Sequence, residues 1–340
     1  MVAKQIAGWF ILVFLALRPA AASVPPPKPI VIHFLNAGAK GSDIQSALDS
    51  LPDTGGEVDL VPGRYEIHQP IVLSRDNQVL RGAGPHTTLY LADEANCPVI
   101  ILGEPLNSPT RTVRHLLVTG FFIDGNRAHQ SREIWKTTGE GSQIRNNGIL
   151  VQRVSDSTVE NVTIARCRSG GLVTTRDVRD LTVRQLESYN NEFDGLACYE
   201  TVGSLFADLN LHDNPGAGIS LDLAFDHNVI SNAVLAANDL GIFMRASQEN
   251  QFLNVAIRNS RHFGVFMAHT EYGTAHGWGQ APKSECARNS FTNLVAVNCG
   301  AAAFRVNNAT CTNNILIRAR FDGNLKGGLS LVKPGLVAVQ

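Results

Sequence analysis

The chain has 340 residues, 44% of them hydrophobic and 17% charged, with a formal net charge of −1. That length supports one large domain with a continuous core. The near-neutral balance argues against nucleic acid as a main partner, since that would select a basic face, and 30 glycines with few helical patterns point to an all-β chain.

The N-terminus has the pattern of an export signal. Lys4 supplies a positive start, Ile6 to Leu17 is a short apolar run, and Ala20-Ala21-Ala22 offers a cleavage site before Ser23. The run is short for a membrane span. Residues 1–22 are therefore expected to be a signal peptide, residues 23–30 a proline-rich linker, and residues 31–340 the folded domain of a secreted or periplasmic protein.

Residues 31–100 form a distinct opening. Gly41 to Leu51 predicts a short helix, with Ser42 or Asp43 as its cap and Ile44, Ala47, Leu48 and Leu51 on one apolar face. Gly55 to Ile67 reads as strand, turn, strand, and Val79 to Gly84 and then Thr87 to Leu91 follow.

From Asn147 to Val332 the chain is a ladder. Strand-like segments start at Gly148, Gly171, Gly195, Gly218, Gly241, Gly264, Ala303 and Gly328, at spacings of 23, 24, 23, 23, 23, 39 and 25 residues. A fixed period of this size with one strand per unit signals a solenoid. Alternation within each unit and asparagines before the next start (Asn190, Asn214, Asn238, Asn259, Asn298) favour a parallel β-helix over a leucine-rich repeat, whose Leu spacing is missing. The asparagines are expected to stack and hydrogen-bond along a turn. Two insertions interrupt the ladder, His129 to Arg145 and Glu271 to about Glu285, and are expected to wall a groove across one sheet. Cys286 and Cys311 fall one unit apart, as a disulfide or as free buried thiols.

The segments Ile44-Gln-Ser-Ala-Leu48, Gly55-Gly56, Val61-Pro-Gly-Arg-Tyr65 and Leu80-Arg-Gly-Ala-Gly84 resemble the N-terminal cap of the pectate-lyase-like right-handed β-helix superfamily. Phe122-Ile-Asp-Gly-Asn-Arg127 resembles a segment of mannuronan C5-epimerase catalytic modules and related polysaccharide lyases. The resemblance covers most of residues 31–332. It implies an all-β, single-domain right-handed parallel β-helix with an N-terminal capping helix, acting on polysaccharide. The epimerase Tyr-Gly-Phe-Asp-Pro-His rung is not kept: the comparable rungs are Gly170 to Thr175 and Asp194 to Tyr199. The polygalacturonase motifs are absent.

On each rung, the second and fourth residues after the start should point outward. The fourth-position column is Gln152, Thr175, Tyr199, Asp222, Arg245, Ala268, Asn307, and the second is Leu150, Val173, Ala197, Ser220, Phe243, Phe266, Arg305. Tyr199, Asp222 and Arg245 become neighbours, with Glu200 and His269 one position beyond. Such a row suits polyuronate chemistry: Tyr199 can move a proton, Arg245 can neutralise developing charge, and Asp222 could hold Ca²⁺ or orient its neighbours. It is also an ordinary cross-strand pairing that stabilises a sheet. Phe243, Phe266, Trp135, Trp278 and His276 are the expected sugar contacts. The leading reading is C5 proton abstraction on an acidic polysaccharide, as a lyase or epimerase. A glycoside hydrolase, using Asp222 with Glu200 or Asp194, and a non-catalytic glycan-binding protein are the alternatives.

Overall fold

The computed structural model describes residues 31–34, 38–133, 144–270 and 285–340. The chain coils into a parallel β-helix, whose described residues form three sheets of sixteen, ten and six strands. The ten-stranded sheet carries the ladder read from the sequence. Its members, in stacking order, are Ile71–Leu73, Ile100–Leu102, Ile149–Gln152, Leu172–Thr175, Leu196–Tyr199, Ala217–Asp222, Leu240–Arg245, Val265–Ala268, Phe304–Val306 and Leu329–Leu331. The predicted register holds throughout: Ile149 pairs with Leu172, Leu172 with Leu196, Leu196 with Ile219, Ile219 with Ile242, Ile242 with Val265, Val265 with Phe304 and Phe304 with Leu329.

Close approach, not turn geometry, selects the repeated glycine. A Cβ on Gly241 would sit 2.5 Å from the Gly264 carbonyl oxygen and 2.5 Å from the Ile257 Cγ2. At this rung no side chain fits where the next rung and the opposite wall converge.

The other two sheets shape the bends. In the sixteen-stranded sheet, strands such as Thr158–Ala165, Thr182–Tyr189 and Val229–Ala236 fold around one left-handed residue each, Asn161, Gln185 and Asn232 (φ of 52, 52 and 53°). The six-stranded sheet is made of two-residue strands, from Val113–Arg114 to Ser247–Gln248. Inward residues of all three sheets merge into one long apolar core that runs from Ile44 to Val337.

The predicted helix is present at Gly41–Ser50, with Ile44, Ala47 and Leu48 buried over the open end of that core. Its start lies slightly earlier than expected. Lys40 is the cap residue, and its backbone N–H donates to the Asp43 carboxylate at 2.8 Å. At the other end the Arg75 guanidinium donates to the carbonyls of Leu48, Asp49 and Leu51 at 2.6, 3.1 and 2.9 Å, satisfying acceptors the helix leaves open.

The asparagine column needs correction. Asn214 and Asn238 do stack, but their partner below is Asn191, not Asn190. Asn214 Oδ1 accepts the Asn191 backbone N–H at 3.1 Å, and Asn238 Oδ1 accepts that of Asn214 at 3.0 Å. Asn190, Asn259 and Asn298 instead take the left-handed conformation, at φ of 53, 55 and 55°. A second buried ladder runs through Asn228, Asn250, Asn289 and Asn314, with N–H to Oδ1 distances of 2.9, 3.1 and 3.0 Å.

All six cysteines are free thiols. Cys286 and Cys311 are neighbours on consecutive rungs as the spacing implied, but no bond joins them; the Cys286 N–H lies 3.5 Å from the Cys311 Sγ. The core around them is closed without a crosslink, since both are fully buried.

Candidate active site

The outer face of the ten-stranded sheet is not open along its whole length. Leu150, Val173 and Ala197, expected to line a groove, are buried in a second apolar cluster with Ile101, against which Val72, Ile144 and Tyr199 pack. Here the strands are apolar on both faces, so outward side chains find cover rather than water. The Gln152 side chain is closed over in the same way, donating to the carbonyls of Glu104 and Leu106. Tyr199, half-buried, marks the border where this covered stretch ends.

Beyond Tyr199 the face carries polar and aromatic groups. Tyr199 and Asp222 are paired rung to rung, and the pairing of Leu221 with Met244 brings Arg245 beside Asp222. An Arg245 guanidinium nitrogen lies 2.5 Å from Asp222 Oδ2, while Asp222 Oδ1 accepts the Leu223 N–H at 2.9 Å. Asp222 was expected to stand in solvent. It is only 1% exposed, because Arg245 and its own chain close over it. The Arg245 guanidinium also lies over the Phe243 ring, 5.1 Å from its centre.

Phe243 and Phe266 stack on adjacent rungs, with centroids 5.9 Å apart and planes within 8° of parallel, and Phe263 meets Phe266 at 5.3 Å. Both stacked rings are half-buried, so one apolar platform faces outward beside Arg245. Trp135, Trp278 and His276 lie outside the described residues, as do both insertion tips.

His269 follows Ala268, the rung partner of Arg245. Its backbone N–H donates to Asn308 Oδ1 at 3.2 Å, and its Nδ1 lies 3.4 Å from Thr310 Oγ1, so the segment after the next strand fixes it. Glu200 takes a left-handed bend (φ 47°) and sits with Arg176 and Asp177 of the preceding rung rather than in the Asp222 row. Burial raises its pKa above the usual carboxylate value, against the pull of Arg176.

At the opposite edge of the same sheet stands Asp194. Its Oδ1 accepts the Ala217 N–H at 2.6 Å and so ties two rungs together. Burial pushes its pKa up to about 6, against the lowering effects of the Ala217 N–H and the charge of Arg145. Sequence reading offered this carboxylate only as a second acid for the hydrolase alternative, and its place directly before a Gly start fixes it at the strand edge.

Asp222, the acid offered for Ca²⁺, is committed to Arg245. Among the described residues no three His, Cys, Asp or Glu side chains converge as metal ligands.

A family model described as the right handed beta helix region matches residues 119–335. The chain belongs to the right-handed β-helix family. Among solved structures it is similar to the mannuronan C-5 epimerase AlgE4 A-module of Azotobacter vinelandii (15% identity, 89% of this chain and 100% of that one, TM-score 0.53). It is similar too to an alginate lyase from a Paenibacillus species (12% identity, 91% and 99% covered, TM-score 0.57). A third similar structure is ORF18 of Geobacillus virus E2 (13% identity, TM-score 0.64), where 92% of this chain spans 61% of the other. At these identities the likeness is one of fold. No curated protein matches the chain by sequence. Within the β-helix family one scaffold thus serves different proteins, and chemistry must be argued from the site.

Proposed function

We propose that this β-helix protein is an exported enzyme that acts on an acidic, uronate-containing polysaccharide by abstracting the C5 proton, as a β-elimination lyase or a C5-epimerase. The observation that carries the reading is the Tyr199–Asp222–Arg245 row beside the Phe243–Phe266 platform. The apolar-run and Ala-Ala-Ala pattern of residues 1–22 supports export.

The proton on C5 is weakly acidic because the departing electron pair spreads into the adjacent carboxylate. Its removal needs a positioned base and a cation facing the growing negative charge. Arg245 is that cation, and Asp222 holds its guanidinium in one orientation. Tyr199, next in the row, transfers the proton; His269, one rung beyond Arg245, is the second proton-transfer group. In elimination the electron pair forms the C4–C5 double bond, the C4–O bond breaks, and the leaving oxygen takes a proton. In epimerisation a proton returns to C5 from the other face.

The test is the ultraviolet absorbance of unsaturated uronate product on alginate, pectate, glycosaminoglycans and neutral glycans, with and without Ca²⁺. A rise on one uronate establishes the lyase. With a flat trace, loss of C5-bound deuterium to solvent identifies the epimerase. Reducing-end release without either signal overturns proton abstraction in favour of hydrolysis.

A further inference from the structure

The outer face has a second arginine, and its surroundings differ from those of Arg245. Arg305 lies on the strand Phe304–Val306, paired rung to rung with Phe266. Its guanidinium donates to Ser330 Oγ at 2.8 Å and to Asn307 Oδ1 at 3.1 Å. Both acceptors are neutral. They fix the fork in place without cancelling its charge, and no carboxylate among the described residues pairs with it. Arg245, by contrast, has Asp222 at 2.5 Å. A half-buried, immobilised and uncompensated guanidinium is a poor structural element, because it forgoes hydration without an opposite charge. It is well suited to an incoming anion, since its remaining N–H groups form a fork that matches an oxyanion.

The neighbourhood narrows the ligand. The stacked Phe243 and Phe266 rings lead from the Arg245 rung straight to Arg305. Two rungs separate the arginines, about 10 Å along the axis at the usual strand spacing. An apolar platform ending in a cation fits a pyranose ring that carries a charged substituent. We infer that Arg305, set by Ser330 and Asn307 and flanked by Phe266, is a binding subsite for the anionic substituent, carboxylate or sulfate ester, of a sugar lying beyond the Arg245 centre on the same chain. The inference rests on the reading of this face as a glycan site, not on which reaction follows.

The experiment is calorimetric binding, which does not depend on turnover. The full chain is titrated with alginate and pectate oligosaccharides (carboxylate only), carrageenan oligosaccharides (sulfate only) and neutral xylan oligosaccharides. Arg305→Gln is expected to weaken binding of one anionic class by about tenfold or more, the worth of one charge-assisted hydrogen bond, and to leave neutral glycans unaffected. The class that responds names the substituent. Ser330→Ala and Asn307→Ala keep the cation but free it; each should weaken the same ligands severalfold, and they stand in if Arg305→Gln does not fold. Equal affinity of the native chain and all folded variants for every anionic glycan overturns the subsite, as does a native chain that binds none. Binding lost at Arg305→Gln, without unsaturated product or C5 exchange in the native chain, keeps the subsite and removes the proton-abstraction reading instead.

Discussion

Replacing Asp194 by Asn should stabilise the folded chain near neutral pH and flatten its pH dependence. Burial raises the Asp194 pKa from 3.8 to about 6. Between those values the folded chain holds a proton that the unfolded chain has released. Stability therefore falls as pH rises through the window from about 4 to about 6, and Asp194 adds no slope outside it. A shift of about 2 units corresponds to about 3 kcal/mol at roughly 1.4 kcal/mol per unit. Asp194 as a residue is half-buried, so this is an upper bound. Asn preserves the acceptor for the Ala217 N–H, which Asp194 meets at 2.6 Å, and carries no charge to desolvate. Urea melts of the native chain and of Asp194→Asn, run side by side from pH 4 to 7.5, isolate the effect because every other titrating group cancels in the difference. The variant should gain between about 1 and 3 kcal/mol relative to the native chain as pH rises from 4 to 7. A difference that stays constant across this range, or a variant that loses ground as pH rises, refutes the account of Asp194 as a carboxyl held proton-bound by burial.

Four further outcomes are expected. Arg245→Gln should lower kcat on the responsive uronate by about 10² to 10³, the cost of losing one charge-stabilising donor, and Tyr199→Phe by about 10² to 10⁴; unsaturated-product or C5-exchange rates read both, and unchanged rates would move the chemistry elsewhere. Asn238→Ala should cost about 3 kcal/mol or more in a denaturant melt. It strands the Asn214 backbone and side-chain N–H groups and the Leu211 carbonyl, all now bonded to Asn238 at 2.9–3.0 Å in the core. Asn232→Gly, on the exposed face at φ 53°, should stay within about 0.5 kcal/mol, because Gly accepts that backbone and the lost bonds lie in water. Thiol titration of the denatured, unreduced chain should return all six cysteines; a count of four would restore one disulfide, with Cys286 and Cys311 as the pair to examine first.

What the sequence revealed and what it hid follow from one physical difference. The Gly start of the rungs from Gly148 to Gly264 is forced by close approach at the same point of successive turns, so its period is written in the chain and fixes the register of the site sheet. Tyr199, Asp222 and Arg245 could be placed side by side for that reason alone. The bends have no such signature. Arg153, Arg176, Glu200, Leu223 and Ala246 occupy one left-handed column, at φ of 49, 60, 47, 49 and 42°. Unlike as they are, these residues left the turning of Glu200 away from the Asp222 row unreadable. Alternation also says which face a side chain takes, not whether that face is wet. Ile149-Leu-Val-Gln152 and Leu172-Val-Thr-Thr175 are buried on both sides, and their apolar outward residues Leu150 and Val173 were the available sign that the groove is closed there, whereas the outward Gln152 and Thr175 gave no such sign. The open stretch begins where outward positions turn polar or aromatic, at Tyr199, Ser220, Asp222, Phe243, Arg245, Phe266 and Arg305. A chain that seals the early rungs with Leu150, Val173 and Ala197 and then lines the later ones with rings and arginines confines any glycan to the later rungs. The two arginines there differ in their surroundings: Asp222 pairs with Arg245, while Arg305 has the neutral partners Ser330 and Asn307, and on the proposed reading the first serves chemistry and the second a ligand.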